Sequence, residues 1–468
     1  MPPTDAAIAV NRFGLGARPG DLKAAAAAGR EYLGAQISHR RSFLMRDAGL
    51  PSCAQAGRAL TGFLARRRGA VGDLSIAREP QVTNRRDRGP MAGSIRPIIQ
   101  ISLQEIAART HHAVATPHGY AERLVHFWSN HFTVAGTKLV SLPYAGVFER
   151  EAIRPNLLGS FADLLVAAVR HPGMLLYLDQ MQSVGPHSEL GRRRGRGLNE
   201  NLAREILELH TVGVGAGYDQ ADVAELARAL SGSRVASDLL MSSAPDAEFG
   251  QYIFVAEAHE PGPRRVMAKS YAEGGSEQSL AILRDLAHHP ATARRVATKL
   301  AAHFIADDPP RALVTALERS FLDTGGDLPS LHRALLDHSE SWTPDLRKFK
   351  TPYEFYISTL RATGGEVPAP RTLLEVTRSL GQIPLRAPSP AGWPDDAESW
   401  AGADAVMKRI EWASAFFADR AIRQPPERFA DAILGAALSA RTREAVRRAE
   451  TQAQGMVLAL MSPEFQRR

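Results

Sequence analysis

The sequence predicts a mainly α-helical protein, either one large multi-helix domain or two helical lobes, with at most a small β-hairpin. Three observations support this prediction. Apolar residues recur in most segments at the 3.6-residue spacing of an amphipathic helix. Alanine, the residue with the highest helix propensity, is abundant and fills the run Ala24–Ala28. Segments in which polar and apolar residues alternate, as they do in a half-buried strand, are scarce.

The composition is that of a folded protein. The chain has 468 residues, of which 44% are hydrophobic and 23% are charged, which is enough for one large core or two smaller ones. It lacks a basic segment followed by an apolar one at its start and any apolar window of membrane-spanning length. The sequence therefore predicts no membrane span and, by default, a cytoplasmic protein. The lone Cys53 excludes an intramolecular disulfide and a cysteine-based metal cluster.

The positive charge is dispersed. The net charge is +7, and only seven of the 57 basic residues are lysines. An arginine bias is typical both of phosphate recognition and of a GC-rich genome, and the even spread along the chain favours the second cause. Nucleic acid is therefore not an expected partner. A local exception is the basic, glycine-rich loop 183–197, with arginines from Arg192 to Arg196, which we expect to be mobile.

The predicted helices follow one another along the chain. The segment 161–178 has the helical apolar spacing, and 278–306 reads as two helices separated at Pro290. The best strand candidate is 251–256, "QYIFVA". One domain over 1–468 accounts for this order. Alternatively, lobes 1–235 and 264–468 meet at an irregular connection, 236–263.

The segment "NENLAREILELHTVGVGAGYDQ" concentrates polar side chains on a predicted helix that ends near His210. Arg204 stands four residues from both Glu200 and Glu208, which predicts two ion pairs on a solvated helix face. The three glycines Gly213, Gly215 and Gly217 follow a helix and not a strand, so they predict a helix end and not a dinucleotide loop. Asp219 is expected to cap the next helix.

Three histidines occupy apolar helix faces, where leucine would be expected. These are His131, His210 and His303. A buried imidazole needs partners for both ring nitrogens, so each histidine either satisfies its own core contact or converges with the others on a site. The candidate site for acid–base chemistry comprises His131, Asn130, Glu200, Glu205 and His210. His131, His210 and Glu205 are the candidate ligands of a divalent metal, and any other cofactor is unknown from the sequence.

Several stretches together resemble one bacterial family, the domain of unknown function 1800. They include "NRFGLGARPGDL", "ERLVHFWSNHFTV", "GLNENLAREILELHTVGVGAGYDQADVAELARALSG", "LAHHPATARRVATKLAAHFIADDPP" and "KTPYEFYISTLRATG". The resemblance extends over nearly the whole chain and implies one long, largely helical domain, but no reaction. It also implies export for many members and a sulfatase-like protein as a neighbouring partner.

The chain departs from the family pattern at three places. Ser129 stands where a second histidine is expected in "FWHNHF", Gln180 replaces an expected asparagine, and Ser231 to Ser233 replace an expected Thr-Gly-Trp. A metal site that used the histidine at position 129 would be weakened here.

Three functions remain open from the sequence. The first is an enzyme or metal-binding protein with a histidine and carboxylate site between helices. The second is a non-catalytic partner-binding or assembly protein that uses its helical surface and the arginine-rich loop. The third is a polyanion-binding protein, which the lack of aromatic residues among Arg192 to Arg196 disfavours. No HExxH, GxSxG, Walker A or CxxC motif is present, so the common hydrolase and nucleotide-binding classes are not indicated.

Overall fold

The mainly α-helical prediction is confirmed. A computed structural model describes residues 3–45, 49–70, 92–237, 249–418, 420–422 and 424–468. The chain is 63% helical, and strands are restricted to two small antiparallel pairs within the described residues. None of the helices in these ranges is long and apolar enough to cross a membrane.

The described part of the first half of the chain contains twelve α-helices, of which α6 is largely buried. Three of them continue directly into short π-helical segments, Ala9–Phe13, Glu149–Ile153 and Ile206–His210. The helices are α1 Pro3–Ile8, α2 Asp21–Ala28, α3 Glu31–Gly34, α4 Cys53–Ala70, α5 Ala92–Ala115, α6 Gly119–His131, α7 Ala145–Phe148, α8 Phe161–Arg170, α9 Pro172–Tyr177, α10 Glu189–Arg194, α11 Asn201–Glu205 and α12 Gln220–Leu230.

The second half is a series of helices, many of which begin at a proline. Proline suits the first helical turn because the backbone N–H groups there have no partner inside the helix. The helices are α13 Ser276–Ala287, α14 Pro290–Phe304, α15 Arg311–Asp323, α16 Leu328–Asp337, α17 Pro352–Thr363, α18 Pro370–Ser379, α19 Ala397–Trp400, α20 Ala403–Ala418, α21 Pro426–Leu434, α22 Ala440–Arg447, α23 Gln452–Met461 and α24 Pro463–Gln466.

The helix starts and ends that the sequence predicts are confirmed at several positions. Pro290 opens α14, and two residues separate it from the end of α13, as the break predicts. Asp219 caps α12, where its side chain accepts the N–H of Asp222 and the two form a capping box. The three glycines before it have positive φ angles, between 78° and 92°, which turn the chain after the helix that carries His210.

The strands form two short pairs. Strand β1 Ser233–Val235 pairs with β2 Tyr252–Phe254, which lies inside the predicted segment 251–256. The connection predicted at 236–263 falls partly outside the described residues, since 238–248 are not described. Strand β3 Arg264–Val266 forms a hairpin with β4 Lys269–Tyr271. This hairpin has no sequence signal, because its turn uses Met267 and Ala268 at positive φ instead of the usual Asn-Gly.

One large hydrophobic cluster joins both halves of the chain. It includes Phe13 near the start, Trp128 on α6, Leu300 on α14 and Phe465 on α24. Because this cluster contains residues from both predicted lobes, it is compatible with one domain over 1–468. The division into lobes remains a prediction.

The arginine-rich loop 183–197 contains a short capped helix. Val184 and Ser188 are buried, and the Ser188 side chain caps α10 by accepting the N–H of Gly191. The arginines from Arg192 to Arg196 are exposed. The predicted mobility of this loop remains a prediction.

Candidate functional site

The two faces of α6 have different environments. Its apolar face, with Trp128 and His131, is buried in the core. Its other face presents His126, Ser129 and Asn130 to a cleft with a volume of about 100 Å³. The remaining walls come from α5, α7, α14, α17 and the segments 133–134 and 382–395, and their lining residues include Arg109, His303, Tyr353, Glu354, Trp393 and Asp395.

His303 and Asp395 form a histidine–carboxylate pair at the cleft. The His303 Nδ1 and Asp395 Oδ2 atoms are 2.6 Å apart. Burial raises the pKa of Asp395, but the hydrogen bond from His303 and the charges of Lys348 and Arg468 outweigh it, so the pKa is lowered and the carboxylate is ionised. An ionised carboxylate only accepts, so Nδ1 donates. Burial lowers the pKa of His303 in spite of Asp395, so the ring is neutral at pH 7 and its Nε2 atom keeps a free lone pair.

The segment that carries Asp395 is held against α6 by Asn130. The Asn130 side chain donates from Nδ2 to the Trp393 carbonyl oxygen at 2.9 Å and accepts the Trp393 N–H at 2.8 Å. Gly392 lies at φ +89°, and a Cβ there would come within 2.6 Å of Asn130 oxygens. Both amide atoms of Asn130 are therefore engaged by Trp393, and the catalytic role predicted for Asn130 remains a prediction.

His126 is the second imidazole of the cleft, and a carboxylate lies behind it too. Its Nε2 atom lies 3.4 Å from Glu122 Oε1, and Glu122 is paired with Arg154 at 2.7 Å. Burial and then the charge of Arg109 lower the pKa of His126 to about 4, so this ring is also neutral at pH 7. Burial alone would raise the pKa of Glu122, but the charge of Arg154 outweighs it and holds that pKa well below its usual value.

Ser129 lies beside His126 but is bound elsewhere. Its hydroxyl donates to Glu149 Oε2 at 2.9 Å, and the same carboxylate oxygen accepts from Arg109 Nε at 2.7 Å. The position at which the family pattern expects a histidine therefore faces the cleft. Among the described residues, this leaves two histidines, His126 and His303, in its lining.

Buried positive charge exceeds buried negative charge beside the cleft. Glu354 and Asp395 line it, and Asp307 supplies a third carboxylate nearby. Four buried cations surround these three acids, namely Arg123, Lys348, Arg409 and Arg468, while burial lowers the pKa of a further group, Lys350, to about 7. Because uncompensated charge is unfavourable in a protein interior, this excess favours a ligand with a negatively charged group.

His131 and His210 lie together, away from the cleft lining. They are 2% and 0% exposed, so the prediction that both are buried is confirmed. Their ring centroids are 6.3 Å apart, and His131 Nε2 lies 3.0 Å from the His210 carbonyl oxygen. Phe132 and Phe161 contact the pair from the core. Metal binding by these residues remains a prediction.

The predicted glutamates lie on a different surface. Arg204 pairs with Glu200 at 3.2 Å and with Glu208 at 3.4 Å, so the predicted ladder of ion pairs is confirmed. Burial and the charge of Glu208 raise the pKa of Glu205. No side-chain hydrogen bond or ion pair joins Glu200 or Glu205 to His131 or His210 among the described residues. The five predicted site residues thus occupy three places, and only Asn130 lines the cleft.

Two of the cleft residues were not identified from the sequence. His126 falls on the polar arc of α6, where solvated side chains are usual, and Asp395 follows α14 by ninety residues of chain. The stretch "GWPDD" did contain a usable signal, since Gly392 and Pro394 indicate a shaped turn with acidic residues. The pairing of that turn with α14 depends on tertiary contacts.

The comparison with protein families gave one match. The family model described as "Protein of unknown function (DUF1800)" matches residues 8–467. No curated protein and no solved structure matches the chain.

Proposed function

The chain belongs to the DUF1800 family over residues 8–467, and from this premise we propose that it is an acid–base enzyme whose cleft accepts a small substrate with an anionic group. The observation that supports this most directly is the His303–Asp395 pair. His303 is the proposed general base. Asp395 orients its ring, and Asn130 positions the segment that carries Asp395.

The chemistry follows from the tautomer of His303. Because Nδ1 donates to Asp395, the Nε2 lone pair can accept a proton from the substrate or from a water molecule. The imidazolium formed in this way is stabilised by the Asp395 carboxylate. The proton can then return from Nε2 to a leaving group. A positioned general base of this kind contributes on the order of 10²- to 10⁴-fold to a rate.

The size and charge of the cleft limit the substrate. A volume of about 100 Å³ is well below that of pockets for drug-sized ligands, so it suits a small molecule or one end of a larger one. The surplus of buried cations next to Glu354 and Asp395 favours a carboxylate or phosphate group on that molecule. His126, neutral at pH 7, provides a second imidazole to orient it.

A substrate screen with matched variants tests this proposal. Purified protein would be assayed against chromogenic carboxylate esters, phosphomonoesters and phosphodiesters, with and without a chelator. For any substrate that is turned over, His303→Gln should lower kcat/KM by about 10²- to 10⁴-fold. His288→Gln is the control, since that side chain is exposed, lies outside the cleft lining and bonds to the carbonyl oxygen of Arg284. Equal rates for the two variants would refute the role of His303. Loss of turnover with the chelator would show that the reaction needs a metal ion, and it would overturn a mechanism in which His303 acts as the base without a metal.

A second candidate function rests on the exposed arginines of α10. Arg192, Arg193, Arg194 and Arg196 all face solvent, and Arg193 is 3.9 Å from Glu189. This surface fits an acidic partner protein or another polyanion. Protection of the loop from protease by such a partner is the corresponding test.

A further inference from the structure

The strongest feature outside the cleft is a pair of positive charges without a negative partner. Arg295 and Lys299 lie one turn apart on α14, and both are partly buried. The Nε atom of Arg295 donates to the Leu209 carbonyl oxygen at 3.2 Å, and Lys299 forms no hydrogen bond or ion pair among the described residues. Like charges one turn apart on a helix repel each other, so this arrangement requires an explanation.

The positive charge extends into the core beside these two residues. After burial, the charge of Lys299 is the largest cause that lowers the pKa of both His131 and His210, and the charge of Arg295 adds to it. Both ring nitrogens of His210 are buried and have no hydrogen-bond partner in the described ranges. A neutral imidazole carries one N–H, so His210 holds an unused donor within reach of two unpaired cations.

The acids of this region are engaged elsewhere. Burial and the charge of Arg295 lower the pKa of Lys299 to about 8, in spite of the opposing charge of Asp395. The Asp395 carboxylate is itself bound to His303. Because positive charge without compensation is unfavourable in a partly buried place, the surroundings of Arg295 and Lys299 favour an anion from outside the chain.

The glycine turn that follows His210 packs directly against Arg295. A Cβ atom on Gly213 would lie 2.9 Å from Arg295 Nη1, and the φ angle of Gly213 is +92°. Cβ atoms on Gly215 and Gly217 would meet no atom within 4 Å, so the turn is open beyond this contact. The absence of a side chain at Gly213 therefore allows the guanidinium to lie beside the turn.

We propose that Arg295 and Lys299 bind a phosphate group on the face of α14 that adjoins His210. A guanidinium offers several N–H donors in one plane, and an ammonium adds a compact charge. Two cations match the charge of about −2 that a phosphate group carries near pH 7. Neither residue belongs to the cleft lining, so this site is separate from that of the proposed function.

Chemical labelling of lysine tests the site in the full chain. The chain has only seven lysines, so acetic anhydride and mass spectrometry can follow each one separately. Inorganic phosphate and glycerol phosphate would each be compared with sodium chloride at equal ionic strength. We expect a phosphate to slow the labelling of Lys299 by about tenfold near saturation. Lys408, which is exposed and pairs with Asp404, should keep its rate. The more protective of the two phosphates identifies the source of the group.

Three variants locate the bound phosphate. Arg295→Gln should raise the phosphate concentration needed for half protection by about tenfold or more. The matched control is Arg294→Gln, because Arg294 on the same helix pairs with Glu318 at 2.7 Å. His303→Gln should leave the protection of Lys299 unchanged, which separates this site from the cleft.

The wild-type comparison does not depend on the folding of any variant. Equal protection by sodium chloride, no protection by either phosphate, or unchanged protection in Arg295→Gln would overturn the proposal. Loss of protection in His303→Gln would also overturn it, because the phosphate would then occupy the cleft.

Discussion

At the residue scale, the chemistry of the cleft depends on which nitrogen of His303 carries the proton. The structure assigns it to Nδ1, because Asp395 is ionised and can only accept. Replacement of Asp395 by Asn introduces an amide N–H that can donate to Nδ1, which would move the proton to Nε2 and occupy the base.

We therefore predict that Asp395→Asn changes the His303 tautomer from Nδ1–H to Nε2–H. Long-range ¹H–¹⁵N correlation spectra of the imidazole report this directly, without any knowledge of the substrate. The matched control is Asp307→Asn, which removes a neighbouring carboxylate that pairs with Lys348 and does not contact His303. An unchanged tautomer in Asp395→Asn would contradict the role assigned to the pair.

A second residue-scale prediction concerns Arg154, which pairs with both Glu122 and Glu149 inside the core. Arg154→Met leaves two buried carboxylates without this partner, so we expect a loss of about 3–5 kcal/mol in the free energy of unfolding. The control is Arg204→Met on the half-exposed ladder, where removal of a solvated ion pair costs below about 1 kcal/mol. Both values would be measured by urea unfolding at pH 7.

The pH dependence of the Arg154→Met effect has a definite sign. In the wild-type protein the pKa of Glu122 is well below its usual value, and that of Glu149 is lowered to about 2, because Arg154 and Arg109 outweigh burial. The stability that these ion pairs contribute is complete above about pH 4.5 and is lost as the pH falls towards 2. The difference between wild type and variant should therefore shrink in acid. If the difference in the free energy of unfolding between wild type and variant is constant from pH 7 to pH 3, this prediction is wrong.

At the element scale, α6 places two of its histidines, His126 and His131, in different surroundings. His126 and His131 lie five residues apart, so they point to different sides of the helix. One side of α6 presents His126 to the cleft, and the other side places His131 next to His210. A single helix thus contributes to two candidate sites that have separate surroundings.

The exposed helix α10 allows a prediction at the same scale. It is only six residues long, ends at Gly195 in a left-handed conformation, and presents several arginines to solvent. Short exposed segments open locally at low cost, so limited trypsin digestion should cleave first at Arg192 to Arg196. Electrophoresis with mass spectrometry locates the cut.

An acidic polypeptide such as polyglutamate provides the second arm of this digestion. Protection at equal protease activity would support the partner-binding function, while an unchanged rate of cleavage would count against it. Complete resistance of the loop without any additive would show that the buried Val184 and Ser188 hold it more firmly than its exposed arginines suggest.

At the scale of the whole molecule, the unusual number of buried neutral histidines should control stability in mild acid. Burial is the first cause of the lowered pKa in each of them, and they include His126, His131, His210, His303 and His332. Unfolded histidine has a pKa near 6.5, so below that pH the unfolded chain binds protons that the folded chain does not.

We therefore predict that the free energy of unfolding is nearly constant above pH 7 and falls as the pH decreases from 6.5 to 4. Each such histidine contributes a slope of up to about 1.4 kcal/mol per pH unit in this window. His332→Leu should reduce the slope by about that amount, whereas His288→Gln, at an exposed position, should not. Urea unfolding between pH 4 and 8 measures both, and equal slopes for the two variants would contradict the prediction.

The local sequence by itself determined the helical class, the breaks at Pro290 and Asp219, the ladder on Arg204 and the burial of His131 and His210. Each of these depends on residues within a few positions of one another, where helical spacing, capping and proline geometry decide the outcome. Only the tertiary structure decided the sites. His303 meets Asp395 because Asn130 holds a distant turn against α6, and His210 meets His131 because a π-helical segment ends beside it in the core. Contacts between residues far apart in the chain follow from the packing of whole helices, and a periodic pattern specifies which face is buried but not which residue it meets.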